Sequence, residues 1–371
     1  MRTDVLVVGG GIAGSTLASI LSSRGFDVTI VERRPRVGYP HHCSGILGFD
    51  AIRELVTFSE DWVLSEINHA TFISPGGLKI GIDKPLAKVV DRSMMDLETW
   101  EHALSSGARG MLSTPFKGLK SRNEAIVKGD TISFDLIVGA DGSLSSVARA
   151  FGLRRLETEL GLQRRCEGRI GDEYAVRILR GSNFSWIQPW GDCVKVGAIG
   201  EFGEIMEVIG SCKSPIGKIE GNLIPRRPRK RFYGGNFALV GDAAGQVKPL
   251  SRGGVLFAVR AAKILAEEFE RGGLSGLSSY GRRWWEINGR EVALGMAARR
   301  YLESLSSRDL DNIFLFLRDF EDIIQESFET DRQTSPLSRV PKAKVLKLIL
   351  MKPRATLRAM MELMRQMVVS W

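Results

Sequence analysis

The stretch that decides the fold is DVLVVGGGIAG (Asp4–Gly14), which is followed by an apolar segment to about Arg24 and then by VTIVE (Val28–Glu32). An apolar run that ends in a glycine turn predicts a buried strand entering a helix, and the second apolar run predicts another strand. The chain therefore begins with a predicted βαβ unit.

The glycine spacing in this unit indicates a dinucleotide site. Gly9 allows a tight turn, Gly11 lets the backbone approach a pyrophosphate, and Gly14 lets helix and strand pack closely. Glu32 ends the second strand, where its carboxylate can accept hydrogen bonds from ribose hydroxyls. The predicted site includes the neighbouring Ala13 and Arg33.

A later strand-and-turn motif favours FAD over NAD as the dinucleotide. In LVGDAAG (Leu239–Gly245), Asp242 follows a predicted strand and is flanked by small residues, so ribityl hydroxyls could come close to it. The segment PLSRGG (Pro249–Gly254) then leads into a helix to about Arg271, whose N-terminal N–H groups could face the flavin ring.

Composition and cysteine usage exclude several classes of protein. The 371 residues are 43% hydrophobic and 26% charged, which is typical of a globular chain and excludes disorder. The chain has four cysteines without a CxxC pair and four histidines, so we expect no metal site and no iron–sulfur cluster. For Cys166, Cys193 and Cys212 we favour simple packing, with a disulfide left open.

The positive charge is concentrated in two regions. The net charge is +9, and the tail Val340–Trp371 holds seven basic residues and one acidic residue. The tail fits either helices packed on the body or a segment lying on an anionic membrane, and packing is the favoured interpretation. The run RRPRKR (Arg226–Arg231) lacks interleaved aromatic residues, so we expect no nucleic-acid partner. We interpret it as a solvated loop, with contact to a lipid phosphate as the alternative.

The sequence contains neither a signal peptide nor an apolar run of about 18 residues. We therefore expect a cytoplasmic protein, at most peripheral to the membrane.

Taken together, the motifs resemble the p-hydroxybenzoate hydroxylase-like FAD superfamily. The resemblance rests on the first glycine turn, Arg92, GADG (Gly139–Gly142) and Gly241-Asp242. Three further motifs resemble the geranylgeranyl reductase family: PHHCSG (Pro40–Gly45), FSWIQP (Phe184–Pro189) and GNLIP (Gly221–Pro225). This family saturates isoprenoid chains of archaeal lipids and chlorophyll precursors, so an archaeal source and an isoprenoid lipid substrate are expected.

The resemblance also implies roles for individual residues. It places Cys43 beside the flavin as the candidate catalytic residue, with His41 and His42 as weaker candidates for proton relay. Phe184, Trp186 and Pro189 would wall the substrate pocket, although Trp186 could equally fill the sheet's core. The family's pattern is altered at Phe184, Gln188 and Arg252, which leaves the precise substrate open. The full predicted cofactor set is Gly9, Gly11, Ala13, Gly14, Glu32, Arg33, Cys43, Gly45, Arg92, Asp141, Gly142, Gly241, Asp242, Pro249, Gly253 and Gly254.

The predicted fold is an α/β Rossmann-type FAD-binding domain with an inserted antiparallel β-sheet substrate domain and a helical C-terminal region. Residues 1–64, 91–150 and 233–275 form the first domain, 65–90 and 151–232 the second, and 276–371 the helical region.

The predicted reaction is hydride transfer from reduced FAD to an isolated alkene. Because no second GxGxxG occurs, the electron donor, either NAD(P)H or ferredoxin, would dock transiently. One rival shares the same FAD motifs, namely an FAD-dependent monooxygenase of an aromatic or prenylated ring. A rival from another class is an electron-transfer flavoprotein that reduces a membrane quinone.

Overall fold

The computed structural model describes residues 1–339 and 352–369. The strands in chain order are β1 Arg2–Val8, β2 Val28–Val31, β3 Ile46–Gly48, β4 Val63–Ile73, β5 Lys79–Val90, β6 Arg109–Met111, β7 Phe116–Ser121, β8 Glu124–Val127, β9 Asp130–Gly139, β10 Thr158–Glu167, β11 Glu173–Ile178, β12 Phe184–Trp190, β13 Cys193–Gly200, β14 Pro215–Pro225, β15 Tyr233–Gly234 and β16 Phe237–Leu239. The helices are α1 Ile12–Ser23, α2 Phe49–Glu54, α3 Arg92–Ser105, α4 Ser146–Ala150, α5 Phe202–Gly210, α6 Val255–Gly272, α7 Leu277–Leu302, α8 Ser307–Arg318, α9 Glu321–Ser327, α10 Ser335–Arg339 and α11 Pro353–Val369.

The first sheet contains the predicted βαβ unit at its centre. Its strand order is β15-β16-β9-β1-β2-β6, with the β7–β8 hairpin attached to β9. The pairs along β16, β9, β1, β2 and β6 are parallel. Val5, Leu6 and Val7 in β1 are fully buried, as expected for a parallel strand covered on both faces. The carboxyl end of β1 therefore opens directly onto the N-terminus of α1.

The second sheet has the strand order β14-β10-β13-β12-β11-β4-β5-β3. Strands β4 and β5 pair with each other as an antiparallel hairpin. Pairing is antiparallel except between β11 and β4, which run parallel. Strand β3 belongs to this sheet although it lies within the segment 1–64 that was predicted for the first domain. The segment that contains Cys43, which directly precedes β3, is therefore attached to the second sheet.

The helices after residue 276 link the two sheets. Helix α7 packs on α6 and β15, whereas α8 and α9 pack against β5. Helix α11 packs along α7, which agrees with the favoured packing interpretation for this part of the tail. Residues 340–351, with Lys342, Lys344 and Lys347, lie outside the described part of the chain. Among the described residues, no helix has the length and apolarity needed to cross a bilayer.

The cysteines differ from the favoured interpretation of simple packing. Cys166 at the end of β10 and Cys212 after α5 form a disulfide, while Cys43 and Cys193 are free. Packing was therefore the wrong choice for Cys166 and Cys212, because the end of α5 lies over β10 and brings the two sulfurs together. Cys43 and Cys193 are thus the free thiols of the protein.

Candidate functional site

The glycine turn between β1 and α1 is shaped by three different constraints. Gly9 has a φ of +112°, and a Cβ there would lie 2.3 Å from the carbonyl oxygen of Ala140. A Cβ on Gly14 would lie 2.0 Å from the Gly9 carbonyl oxygen, so this glycine permits helix and strand to touch. A Cβ on Gly11 would meet no atom within 4 Å. The space in front of Gly11, at a helix N-terminus, suits an anion.

Glu32 is oriented by the backbone at the end of β2. One carboxylate oxygen accepts a hydrogen bond from the Gly10 N–H at 2.9 Å, and the other accepts from the Arg34 N–H at 2.9 Å. The carboxylate is thereby held beside the glycine turn, where a ribose attached to a bound pyrophosphate would reach it. Arg34 and Arg36 line the same space beside the predicted Arg33, and the spacing of the motif gave no signal for them.

One cavity of about 710 Å³ joins the first sheet to the second. It brings together predicted site residues from distant parts of the chain, namely Gly9, Gly11, Ala13, Glu32, Arg33, Cys43, Arg92, Asp141, Gly142, Phe184, Trp186, Gly241, Asp242, Gly253 and Gly254. Four predicted residues do not line it: Gly14, Gly45, Pro249 and Pro189. Gly14 and Gly45 instead allow close backbone packing, Pro249 packs against Gly295, and Pro189 is buried in β12.

Asp141 combines a cavity position with a structural contact. One of its oxygens accepts hydrogen bonds from the backbone and side chain of Ser146, both at 2.7 Å, at the start of α4. Its other oxygen is buried and has no hydrogen-bond partner among the residues that the structure describes. One oxygen of the Asp141 carboxylate therefore holds the turn that leads into α4.

Asp242 lines the cavity beside Gly241, which lies close to Ala13 of α1. Burial raises the pKa of Asp242 to about 6, although the Arg92 guanidinium acts in the opposite direction. A Cβ on Gly254 would lie 3.2 Å from an Asp242 oxygen, so the small residue at the start of α6 keeps the space around this carboxyl open. The position fits an acceptor for the hydroxyls of a ribityl chain.

Cys43 lies between the two sheets and contacts a fixed cation. The Arg92 guanidinium donates a hydrogen bond to the Cys43 sulfur at 3.3 Å and another to Asp96 at 2.8 Å. Burial alone would lower the pKa of Arg92, but Asp96 and Cys43 raise it above its ordinary value. Arg92 therefore presents a permanent positive charge to the sulfur.

The adjacent histidines differ in their surroundings. Burial lowers the pKa of His42 below its ordinary value, and its Nδ1 lies 3.0 Å from the Pro40 carbonyl oxygen. The His41 ring contacts the Tyr39 ring. At neutral pH His42 is therefore uncharged beside Cys43, and it lines the cavity.

The predicted substrate wall is formed by side chains of the second sheet. The rings of Phe184 and Trp186 are 5.9 Å apart, and both line the cavity. Leu162, Ile199 and Ile224 extend this apolar surface. The second sheet therefore lines the cavity mostly with apolar side chains, with Gln163 and Asn222 as polar exceptions, whereas charged residues such as Glu32, Arg92 and Asp242 lie beside the first sheet.

Arg252, one of the departures from the family pattern, is buried in an ion-pair cluster. Its guanidinium donates to Glu159 at 2.7 Å and lies 5.4 Å from the Phe184 ring centre. Arg299 also binds Glu159, at 2.6 Å, and these arginines hold the pKa of Glu159 below its ordinary value in spite of its burial. Arg252 adopts a φ of +63°, which is rare for a residue with a side chain. Its contacts offset that strain.

The basic run at 226–231 is less solvated than predicted. Arg226 pairs with Glu303 at 2.5 Å and Arg227 with Glu157 at 3.0 Å, while Arg229 donates to the Ala243 carbonyl oxygen at 2.9 Å. These three arginines are therefore partly solvated and each has a partner elsewhere in the chain, whereas Lys230 and Arg231 are exposed as the solvated-loop interpretation predicts.

Sequence reasoning missed Gln163 and Lys195 behind Cys43, and it identified Gln188 only as a departure from the family pattern. Gln163, Gln188 and Lys195 donate hydrogen bonds to the carbonyl oxygens of Cys43 and Ser44. Polar residues at buried strand positions are a usable signal, but only when the burial of each strand face is known.

Comparison with known proteins agrees with this geometry. Residues 7–42 match the family model of an NAD(P)-binding Rossmann-like domain. A digeranylgeranylglycerophospholipid reductase from Methanosarcina acetivorans is 26% identical, over 89% of this chain and 94% of the relative. A second reductase of that name, from Methanothermobacter thermautotrophicus, is 28% identical, over 84% of this chain and 90% of the relative. The predicted resemblance to the geranylgeranyl reductase family is therefore confirmed.

Solved structures show the same fold. A geranylgeranyl bacteriochlorophyll reductase-like protein from Thermoplasma acidophilum superposes with a TM-score of 0.81 at 20% identity, covering 95% of this chain and 99% of that one. A probable FAD-dependent monooxygenase from Pseudomonas aeruginosa gives a TM-score of 0.66 at 17% identity, covering 85% of this chain and all of the other. The predicted fold class is confirmed.

Proposed function

We propose that this protein is an FAD-dependent reductase that saturates carbon–carbon double bonds in geranylgeranyl chains of archaeal membrane lipids. The observation that carries the proposal is the similarity to archaeal digeranylgeranylglycerophospholipid reductases along most of the chain. The cavity supports it, because a polar half suited to a dinucleotide continues into an apolar half suited to an isoprenoid chain.

The residues on the polar side fit FAD. The N-terminus of α1 and the open space at Gly11 would hold the pyrophosphate, and Glu32 would bind the adenosine ribose. Asp242 would accept hydrogen bonds from the ribityl hydroxyls. Reduced FAD would supply the hydride for the alkene carbon.

The chain's own residues would hold the alkene and deliver the proton. An isolated alkene is a poor hydride acceptor, so the pocket must orient it closely and exclude water. Phe184 and Trp186 provide the apolar walls for this. The Cys43 thiol is the candidate proton donor to the neighbouring carbon, and Arg92 would stabilise the sulfur once it has lost its proton.

The same lipid substrate explains the exposed face of α11. Leu357, Met360, Met361 and Met364 are each at least half exposed and form one apolar stripe along this helix. The helix carries Arg354, Arg358 and Arg365 against the single acidic residue Glu362. A basic amphipathic helix of this kind suits the surface of an anionic membrane, where the substrate lipid resides. A nicotinamide or a ferredoxin would supply electrons in a transient complex.

The deciding experiment is anaerobic reduction of the purified protein followed by mass spectrometry of added digeranylgeranyl lipids. The proposal predicts a gain of two hydrogens for each double bond reduced. If NAD(P)H is consumed only with oxygen, and the product gains an oxygen atom, the protein is a monooxygenase instead. If quinone is reduced while the lipid stays unchanged, it is an electron-transfer flavoprotein.

A further inference from the structure

Four neighbouring strands of the second sheet each place one buried polar side chain behind Cys43. These side chains are Glu220 on β14, Gln163 on β10, Lys195 on β13 and Gln188 on β12, and we call them the polar row. Their exposures are 8%, 2%, 0% and 0%. Gln163 lies opposite Glu220, and Lys195 lies opposite Gln188, in the strand register.

The polar row converges on the backbone of two loop residues. The Cys43 carbonyl oxygen accepts hydrogen bonds from Gln163 at 2.9 Å and from Lys195 at 3.2 Å. Gln188 donates to the Ser44 carbonyl oxygen at 2.7 Å. The loop around the thiol is therefore bonded to the second sheet through two consecutive carbonyl groups.

Glu220 completes the polar row without touching the loop. Its carboxylate accepts hydrogen bonds from Gln163 at 3.0 Å and from Lys195 at 3.1 Å, which sets the direction of both donors. The Lys195 ammonium also lies 3.3 Å from the centre of the Trp190 ring. Both donors to Cys43 are thereby held in one orientation.

Stability alone does not account for this arrangement. Burial lowers the pKa of Lys195 although Glu220 acts in the opposite direction, so the ammonium is held at a cost. A buried ion pair of this kind is often replaced by apolar residues with little loss of stability. Apolar residues at these strand positions could not donate hydrogen bonds to the carbonyl oxygens of Cys43 and Ser44.

The Cys43 sulfur is held by a different group from those that bind the Cys43 carbonyl oxygen. Arg92 binds the sulfur and is itself anchored by Asp96, four residues further along α3. The charged and titratable groups around Cys43 are Arg92 and Asp96 on α3, Lys195 on β13, Glu220 on β14 with its second partner Arg165 on β10 at 3.4 Å, and His42 in its own loop. Cys43 is thus held by one ion pair on each side.

We propose that Lys195, Gln163 and Gln188 are positioning residues for Cys43, which fix its backbone so that its sulfur stays on Arg92. They act through the loop, because their donated hydrogen bonds reach carbonyl oxygens and not the sulfur; Gln163 also lines the cavity, whereas Lys195 and Gln188 do not. The proposal rests on the proposed function only for the chemical use of the thiol.

The test uses the Cys193→Ala background, in which Cys43 is the single free thiol. Alkylation of the purified protein by iodoacetamide is followed as a function of pH, because the thiolate is the reacting form. Two variants disturb the polar row: Lys195→Met, after which Glu220 keeps its ion pair with Arg165 at 3.4 Å, and Gln188→Leu. Lys88→Met is the matched control, since Lys88 pairs with Glu60 and Glu66 in the same sheet away from Cys43.

If the polar row positions Cys43, the midpoint of alkylation rises by about one pH unit in both variants and stays unchanged in Lys88→Met. Midpoints within about 0.2 units of the parent in both variants, with a lowered melting temperature, would show that the row only supports the fold. A shift confined to the Lys195 variant would show an effect of charge rather than of position, and would also overturn the proposal.

Activity separates this result from the proposed function. In a protein that reduces alkenes, both variants should lower kcat about tenfold and leave KM within about twofold, because the apolar walls are intact. A protein that reduces no alkene would contradict the proposed function while the alkylation result would still stand.

Discussion

The two walls of the cavity are built on different principles. On the first sheet, Gly10 and the carboxylate that binds it are 22 residues apart, and backbone groups of one turn form the site. On the second sheet, the Cys43 loop is held by side chains 120 and 152 residues from Cys43 and 144 residues from Ser44. The glycine turn on the first wall is local and acts through its backbone, whereas the Cys43 loop on the second wall depends on long-range side-chain contacts.

Because of this difference, we expect different kinds of substitution to disrupt the two walls. A backbone site fails when a side chain fills the space that its glycines leave free. A site held by distant side chains fails when one donor is removed, even though no atom enters the cavity. Substitutions on the two walls should therefore separate cofactor retention from catalysis.

The largest expected effect is on the first wall. Gly11→Val should fold normally, because its φ of −78° suits valine and the added atoms meet open space. The same atoms occupy the space in front of the helix N-terminus, so FAD affinity should fall at least about a hundredfold. Flavin absorbance after gel filtration, together with the melting temperature, checks this.

Gly9→Val is the contrasting variant. Its Cβ would lie 2.3 Å from the Ala140 carbonyl oxygen, at a φ that valine avoids, so it should fail to fold rather than simply lose flavin. If Gly11→Val retains flavin at the parent level, the first wall is not the pyrophosphate site.

The second-largest effect is expected at Cys43. Cys43→Ala and Cys43→Ser should keep their FAD content and slow alkene reduction by about a hundredfold, the usual contribution of a general acid. Cys193→Ala is the control, because Cys193 is also a free thiol but does not line the cavity. Single-turnover rates equal to the parent rate in both Cys43 variants would assign Cys43 to packing.

The contrast between the walls also explains what could be predicted from sequence. The βαβ unit, Glu32 and the turn at Asp242 were predictable because each motif lies within a short stretch whose periodicity reveals strand and helix. Gln163 and Lys195 were not, because their roles depend on which strands become neighbours. The parallel pairing of β11 with β4 and the Cys166–Cys212 disulfide were missed for the same reason.

A smaller, pH-dependent effect is expected at Asp242. Burial raises its pKa to about 6, so the carboxylate is the main form only above that pH. A carboxylate accepts stronger hydrogen bonds from hydroxyls than a neutral acid does, so FAD affinity should fall as the pH drops through about 6. Asp242→Asn should weaken binding about tenfold at pH 7.5 and remove this pH dependence. Fluorescence titration of the flavin-free protein at several pH values measures both effects.

The Glu32→Gln variant is the control for this titration, because it also removes a carboxylate from the cofactor site but leaves Asp242 in place. It should weaken binding and preserve the pH dependence near 6. An unchanged pH dependence in Asp242→Asn would show that another group titrates.

The smallest effect concerns α11, which lies outside both walls. Each arginine near an anionic surface contributes at most about 1 kcal/mol, so replacing Arg354 and Arg358 by Gln should weaken binding to anionic vesicles by up to about thirtyfold at low salt. Screening acts within about 8 Å at physiological ionic strength, so the difference should shrink as salt is added. Leu357→Ser with Met361→Ser should weaken binding at all salt concentrations, because the apolar contact is not screened.

The control variant replaces Arg2 and Arg169 by Gln, since both arginines are exposed at other places on the surface. Its net charge equals that of the variant at Arg354 and Arg358. If that control loses vesicle co-sedimentation equally, overall charge rather than α11 attracts the protein to the membrane.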